Sequence, residues 1–191
     1  MYSTFQLARK FIQYYITASN GKGHGVHSPF VFDFITQVLN DKKQYDCYRL
    51  IEPQRHRLLN DETEIEIEDF GAGSAVMKSN KRIVKKIAAS SLKPKEFAQL
   101  LFRIVHYYKP STILELGTSL GITTCYLANG NKQGMVYTCE GAAAIAAIAQ
   151  NNFEVLQVTN ITLTKGNFAN TLQPLLNQAG KIDLAFIDGN H

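Results

Sequence analysis

Two stretches of the sequence place closely spaced glycines after an acidic residue, a pattern typical of loops that hold charged or nucleotide-like ligands. They are EIEDFGAGSAV, residues 66–76, and ILELGTSLGITT, residues 113–124. Glycine allows the backbone to approach a ligand closely, and backbone amides at the start of a helix bind anions. A chain of this length rarely needs two such loops, so the elements around each stretch must show which one binds a ligand.

The second stretch begins a regular alternation of strands and helices. Short apolar runs predict strands at 113–116, 135–139, 161–164 and 182–187, and helical runs at 122–129, 142–157 and around 172–176 separate them. This alternation predicts an α/β fold with a doubly wound parallel sheet. Because ligands of such sheets lie beyond the carboxyl ends of the strands, residues 117–121 are predicted to form the ligand loop.

The first stretch lies in a region without this alternation. Residues 3–17 show an apolar helical stripe, and Ser28 with Pro29 indicates the start of a second helix. Residues 1–94 are therefore predicted to be a mainly helical cap without a sheet, and residues 95–191 a core domain. His24 and His27 are not predicted to bind a metal, because no carboxylate or cysteine accompanies them. The glycine-rich segments around these histidines and at 69–74 are instead predicted to form a lid over the acceptor site, because glycines permit closure.

The ligand loop does not match the common phosphate-binding patterns. Ser119 stands where the middle glycine of a dinucleotide motif would lie, and no GK[ST] ends the stretch as in a P-loop. Glu140 ends the second predicted strand, where its carboxylate can accept hydrogen bonds from both ribose hydroxyls. These residues favour an adenosine-containing ligand without a pyrophosphate.

Composition indicates an ordinary globular protein. The chain has 191 residues, a net charge of +4 and three scattered cysteines, which we interpret as reduced thiols in a cytoplasmic protein. No signal-peptide core or bilayer-length apolar run is present in the sequence. The basic cluster at 78–86 is interpreted as a solvated helix, and a nucleic-acid surface is the less favoured alternative because no aromatic residues interrupt it.

Four motifs in order resemble those of class I S-adenosylmethionine-dependent methyltransferases: ELGTSLG, YTCEG, GNF and FIDGNH, each at the carboxyl end of a predicted strand. Within that family the sequence is most similar to small-molecule O-methyltransferases of the catechol type, and HGVHSPFVFDF is similar to the amino-terminal region of bacterial members. The resemblance implies a Rossmann-like fold and transfer of a methyl group from S-adenosylmethionine to an oxygen of a small molecule.

The resemblance also implies the residues that bind the cofactor. Glu115 and the glycine loop would hold its methionine end, Glu140 its ribose, and Asn167 with Phe168 its adenine. The whole set is Glu115, Gly117, Thr118, Ser119, Gly121, Thr123, Glu140, Gly141, Asn167 and Phe168. Each also has a structural interpretation: Glu115 could cap the loop, Gly121 could serve helix packing, and GNF could be an ordinary turn.

The last motif carries the residues closest to the chemistry. By resemblance Asp188 matches a magnesium-binding Asp, Asn190 replaces a second Asp, and His191 replaces a lysine that acts as base. Asp188 and His191 are thus predicted to be catalytic, with Asp188 as a Mg²⁺ ligand. Since members of the family continue through further strands, the sheet is expected to be incomplete and the activity low. An RNA or protein methyltransferase, a non-catalytic adenosine-binding domain and a homodimer stay open.

Overall fold

The computed structural model describes residues 4–17, 28–69 and 78–189. The chain divides into two compact units, Met1–Lys43 and Gln44–His191. The first contains α1 (Thr4–Thr17) and α2 (Pro29–Asp33), which continues into a π-helical segment (Phe34–Leu39). The predicted start of α2 is confirmed, because the Ser28 hydroxyl accepts a hydrogen bond from the amide of Val31 at 3.4 Å. None of the helices in the described ranges is long and apolar enough to cross a bilayer.

The second unit begins with a hairpin that the sequence analysis missed. Helix α3 (Asp46–Leu59) is followed by strands β1 (Glu64–Asp69) and β2 (Lys78–Ile83), which pair antiparallel, and by α4 (Val84–Ser91). The prediction that residues 1–94 contain no sheet is therefore wrong. Of the basic cluster at 78–86, only residues 84–86 are helical, because residues 78–83 form β2. The alternation of Ile and Glu in EIEIED has the period of a half-buried strand, and Glu66 lies opposite Lys81 across the pair.

The predicted α/β fold, a doubly wound parallel Rossmann-like sheet, is confirmed. Its strands pair in the order β5-β4-β3-β6, and every pairing is parallel. The elements of this region are α5 (Lys95–Tyr108), β3 (Thr112–Leu116), α6 (Ile122–Gly130), β4 (Met135–Glu140), α7 (Ala143–Val155), β5 (Ile161–Lys165), α8 (Phe168–Ala179) and β6 (Leu184–Ile187).

Helices cover both faces of this sheet. Three consecutive side chains of β3, Ile113, Leu114 and Glu115, are all buried, as expected for a strand with both faces covered. On one face Ile113 packs in a cluster with residues of α5 and α6, and on the other Leu114 packs with Leu175 of α8. A continuous apolar run, rather than an alternating one, is therefore what a strand at this position requires.

Residues 44–94 share a hydrophobic core with the helices that follow the sheet strands. Ile51 of α3 and Val84 of α4 belong to the same buried cluster as Tyr126 of α6 and Phe153 of α7. The proposed division between a cap at 1–94 and a core at 95–191 stays a prediction.

The order in which the chain adds strands to the sheet reverses at β3, although all strands are parallel. From β3 the chain moves through β4 to the edge strand β5, and then returns to place β6 on the other side of β3. The carboxyl ends of β3 and β6 therefore meet at a topological switch point, where open α/β sheets bind their ligands.

Candidate functional site

The loop after β3 has a tightly constrained backbone. Gly117, Ser119 and Gly121 all have positive φ, at 99°, 48° and 77°. The amides of Gly117 and Thr118 both donate to the carbonyl of Cys139 in β4, each at 3.1 Å. A positive φ at a non-glycine residue costs about 1–2 kcal/mol, so the strained Ser119 marks this loop as a place where the surroundings impose the conformation.

The two loop glycines are required by different neighbours. A Cβ on Gly117 would lie 2.8 Å from the amide nitrogen of Gly189 and 2.9 Å from the carbonyl carbon of Asp188, so β6 ends directly against the loop. A Cβ on Gly121 would lie 2.5 Å from the ring of Phe153 in α7. Gly121 thus has the packing role considered from the sequence, and its contribution to cofactor binding stays a prediction.

Glu115 is a fully buried carboxyl group at the base of the loop. Its Oε2 accepts hydrogen bonds from Thr124 at 2.5 Å and from Thr138 at 2.7 Å, and Thr138 also bonds to Thr118 at 2.6 Å. Burial raises the pKa of Glu115 to about 7, although the two threonine hydroxyls oppose the shift. Its Oε1 is buried and has no hydrogen-bond partner among the residues that the structure describes. Such orphaned atoms are uncommon, and an ammonium group would satisfy this one.

Glu140, at the end of β4, organises the backbone around it. Its Oε2 accepts from the amide of Ser119 at 2.9 Å, and its Oε1 accepts from the amide of Ala142 at 3.0 Å. Each carboxylate oxygen has a second lone pair, so these bonds leave room for hydroxyl donors. A Cβ on the neighbouring Gly141 would meet no atom within 4 Å, so the space beside Glu140 is open.

The GNF motif begins α8. The side chain of Asn167 caps this helix by accepting from the amide of Ala169 at 2.9 Å. Phe168 packs with the cluster that contains Leu114 and Leu175, and its ring lies against Gly189. The structural interpretation of this motif is thus observed, and the contacts of Asn167 and Phe168 with adenine stay predictions. Thr123 is half-buried in the first turn of α6, and its predicted contact with the cofactor stays a prediction.

Asp188 follows β6 and forms an ion pair. Its Oδ1 lies 2.6 Å from Nζ of Lys93, in the connection between α4 and α5. Among the described ranges, no group of three or more His, Cys, Asp or Glu residues could hold a metal ion. Mg²⁺ needs several oxygen ligands, and an ammonium group already lies against this carboxylate, so the described residues do not fit the predicted Mg²⁺ site. Several predicted residues lie outside the described part of the chain: Asn190, His191, and the predicted lid at His24, His27 and 70–74.

Several site residues were not found from the sequence. The hydroxyl of Ser119 donates to that of Ser91, at the end of α4, over 2.8 Å. Ser91 and Lys93 carry no local motif, and only the packing of α4 brings them to the switch point. Thr124 and Thr138 did have a signal, since each is a polar residue in an otherwise apolar, buried element. A separate groove lined by His106 and Lys109 lies near the amino ends of β3 and β4. It is therefore away from the carboxyl ends of the strands, where such folds bind ligands.

A parallel sheet with this strand order, a glycine loop after its first strand and an acidic residue ending the next are the features that a Rossmann-like methyltransferase fold requires. Residues 114–191 match a family model described as a methyltransferase domain. The resemblance found in the sequence is thereby confirmed.

Solved structures share the fold. Cofactor-bound Rv0187 from MTB is 28% identical, with a TM-score of 0.50, and the alignment covers 52% of this chain and 46% of that protein. An O-methyltransferase from Bacillus cereus in complex with SAH is 21% identical, with a TM-score of 0.53 and coverages of 82% and 59%. SAH-bound PaMTH1 from Podospora anserina is 17% identical, with a TM-score of 0.56 and coverages of 100% and 61%.

This chain thus spans less than two thirds of the length of each of these proteins. No curated protein has a significant match to the sequence.

Proposed function

We propose that this chain binds S-adenosylmethionine at the switch point and takes part in transfer of its methyl group to an oxygen of a small molecule. The observation that carries the proposal is the buried Oε1 of Glu115, which has no hydrogen-bond partner in the described part of the chain and lies at the base of the positive-φ loop 117–121. A cationic amino group is the partner that such an oxygen favours, and the amides of the loop favour a carboxylate. An amino acid moiety carries both groups.

The remaining cofactor contacts follow from the strand ends. Glu140 retains acceptor capacity for ribose hydroxyls beside the open space at Gly141. Asn167 and Phe168 would bind the adenine, while Thr118, Ser119 and Thr123 line the loop side. When bound, S-adenosylmethionine supplies an electrophilic methyl group that an acceptor displaces in line.

The acceptor must lie beyond the switch point, where Asp188 ends β6. A hydroxyl acceptor has to lose its proton, and His191 is our proposed base because imidazole titrates near neutral pH. Asp188 would orient the acceptor from the neighbouring strand end. The structurally similar protein from Bacillus cereus is an O-methyltransferase, which supports oxygen as the acceptor atom.

The basic cluster at 78–86 does not favour nucleic acid over a small molecule. Lys81 pairs with Glu64 at 3.1 Å within the hairpin, and Lys85 pairs with Glu62. These carboxylates offset part of the positive charge that phosphates would need.

We also place the protein in the cytoplasm, since Cys47, Cys125 and Cys139 are free thiols.

Thermal unfolding with S-adenosylmethionine, S-adenosylhomocysteine and NAD, each in a separate titration, tests the cofactor assignment. A ligand at about 100 times its Kd stabilises the folded state by roughly 2.7 kcal/mol. We expect stabilisation by the two sulfur nucleosides and none by NAD.

The variant Gly141→Leu fills the open space beside Glu140 and should abolish this stabilisation without changing the unliganded protein. Ala147→Leu, which introduces the same side chain at an exposed position of α7, is the control. Stabilisation by NAD alone, or full ligand response in Gly141→Leu, would contradict the proposal.

A further inference from the structure

A lysine from outside the sheet reaches the switch point. Lys93 lies in the short connection between α4 and α5, and its Nζ is 2.6 Å from Oδ1 of Asp188. Both side chains are about two thirds buried, with exposed fractions of 34% and 30%. At this depth an ion pair is less screened by solvent than a pair on the surface.

The backbone of Lys93 is held by a buried network. Nη1 of Arg55 donates to the carbonyl of Lys93 at 2.6 Å, and Arg55 is itself buried. Nε of Arg55 donates to Glu52 at 3.0 Å, and Glu52 also accepts from the hydroxyl of Tyr126 at 2.6 Å. Residues of α3 and α6 therefore fix the backbone from which Lys93 extends. A lysine that only pointed into solvent would not need a backbone held in this way.

The ion pair is adjacent to the cofactor loop. The backbone of Asp188 lies so close to Gly117 that a Cβ there would be 2.9 Å from the carbonyl carbon of Asp188. On the other side of the loop, Ser91, two residues before Lys93, bonds to Ser119. The segment 91–93 thus contacts the ends of both β3 and β6, and the ammonium group of Lys93 lies at the switch point.

We propose that Lys93 is an active-site residue whose ammonium group takes the charge-neutralising place beside Asp188 that a divalent cation would otherwise have. The proposal rests on the proposed function, because it concerns the acceptor side of the same site. An ammonium group has three donors, so Lys93 can hold Asp188 and still donate to an acceptor oxygen. The acceptor class that this arrangement suits is a hydroxyl compound bound through its oxygen without a metal bridge.

The metal part of the proposal is tested with Mn²⁺ as the probe, by the electron paramagnetic resonance signal of the free ion. The full chain and its Asp188→Asn variant are titrated in parallel. We expect the two proteins to be indistinguishable. A stoichiometric Mn²⁺ site in the original chain that Asp188→Asn abolishes would overturn the proposal, because Asp188 would then be a metal ligand.

The charge part is tested by calorimetric affinities for S-adenosylmethionine, which carries a positive sulfonium, and for neutral S-adenosylhomocysteine. Lys93→Met leaves the Asp188 carboxylate without its cation, so the sulfonium ligand should gain about three- to tenfold in affinity relative to the neutral one. Lys93→Arg should keep the original ratio. Lys95→Met, which removes an exposed charge two residues away, is the control and should also keep it.

An unchanged ratio in Lys93→Met, or the same change in Lys95→Met, would overturn the role of Lys93. Failure of the original chain to bind either nucleoside would instead contradict the proposed function. The Mn²⁺ titration does not depend on the nucleosides, so it still decides whether Asp188 binds a divalent cation or remains paired with Lys93.

Discussion

At the scale of single residues, the site is dominated by a carboxyl group that the fold places in an unfavourable environment. Glu115 is buried on a central strand, with two threonine donors on one oxygen and no partner for the other within residues 4–17, 28–69 and 78–189. Burial of a carboxyl group disfavours its charged form. Buried carboxyl groups with a shifted pKa are common where a ligand supplies the missing partner. Because its pKa is shifted, the ionisation of Glu115 should change the free energy of unfolding with pH.

The pKa of Glu115 predicts how stability changes with pH. The pKa is about 7 in the folded protein, against an ordinary value of 4.5, so between these values the folded state holds a proton that the unfolded chain has lost. Stability without ligand should therefore fall as the pH rises through this window, by about 1–3 kcal/mol. Glu115→Gln should remove this dependence, as measured by urea unfolding at several pH values. Parallel curves for the two proteins would contradict the assigned pKa.

Gly117 should be far less tolerant of a side chain than Gly141. At Gly117 the φ of 99° and the backbone of Asp188 and Gly189 both oppose a Cβ, whereas at Gly141 no atom lies within 4 Å. We expect Gly117→Ala to lower the free energy of unfolding by about 1–3 kcal/mol and Gly141→Ala to change it by less than about 0.5 kcal/mol. Urea unfolding of the unliganded proteins measures both, and equal losses would show that the contact with β6 does not constrain the loop.

At the scale of elements, a buried polar bridge links α3 to the loop 117–121 through α7. Nε2 of Gln54 donates to Oδ1 of Asn152 at 2.7 Å, and Nδ2 of Asn152 donates to the carbonyl of Leu120 at 2.7 Å. Both side chains are buried. Loss of one partner leaves the others unsatisfied away from water, so the bridge makes the position of the loop depend on helices on either side of it.

Replacement of Asn152 by Ala should destabilise the protein by about 2–4 kcal/mol, because the amide of Gln54 and the carbonyl of Leu120 lose their partner. A double-mutant cycle with Gln54→Ala should give a coupling energy of about 0.5–3 kcal/mol. Urea unfolding of the single and double variants measures it. Additive effects of the two substitutions would show that the bridge contributes little.

The sequence predicted the sheet well because each strand is a short apolar run set between helices, a pattern that parallel burial itself produces. The hairpin was missed because the glycines between its strands suggested a ligand loop, although Ile65 and Ile67 already alternated with carboxylates. Gly117, Glu115 and Glu140 could be located because their positions follow directly from strand ends. Lys93 and Ser91 could not be located from the sequence, because their positions depend on how α4 packs. No local sequence pattern predicts that packing.

At the scale of the whole molecule, the unit Gln44–His191 contains the three hydrophobic clusters and every described residue of the candidate site. We therefore expect a chain that begins at residue 44 to fold cooperatively and to bind S-adenosylhomocysteine within about threefold of the affinity of the full chain, since a compact unit with its own core can fold alone. Circular dichroism and calorimetry measure the two properties. Loss of the cooperative transition would show that residues 1–43 are needed to complete the core.

The contact between Gly117 and the end of β6 also constrains the order of folding. These two segments are far apart in the chain, and contacts between distant segments form late because the intervening loop must first be closed. During synthesis the loop 117–121 emerges well before β6, so it cannot take its final conformation until the last described strand has docked. The proposed nucleoside site thus cannot form before β6 has docked, and a nascent chain that still lacks this strand would not bind the cofactor.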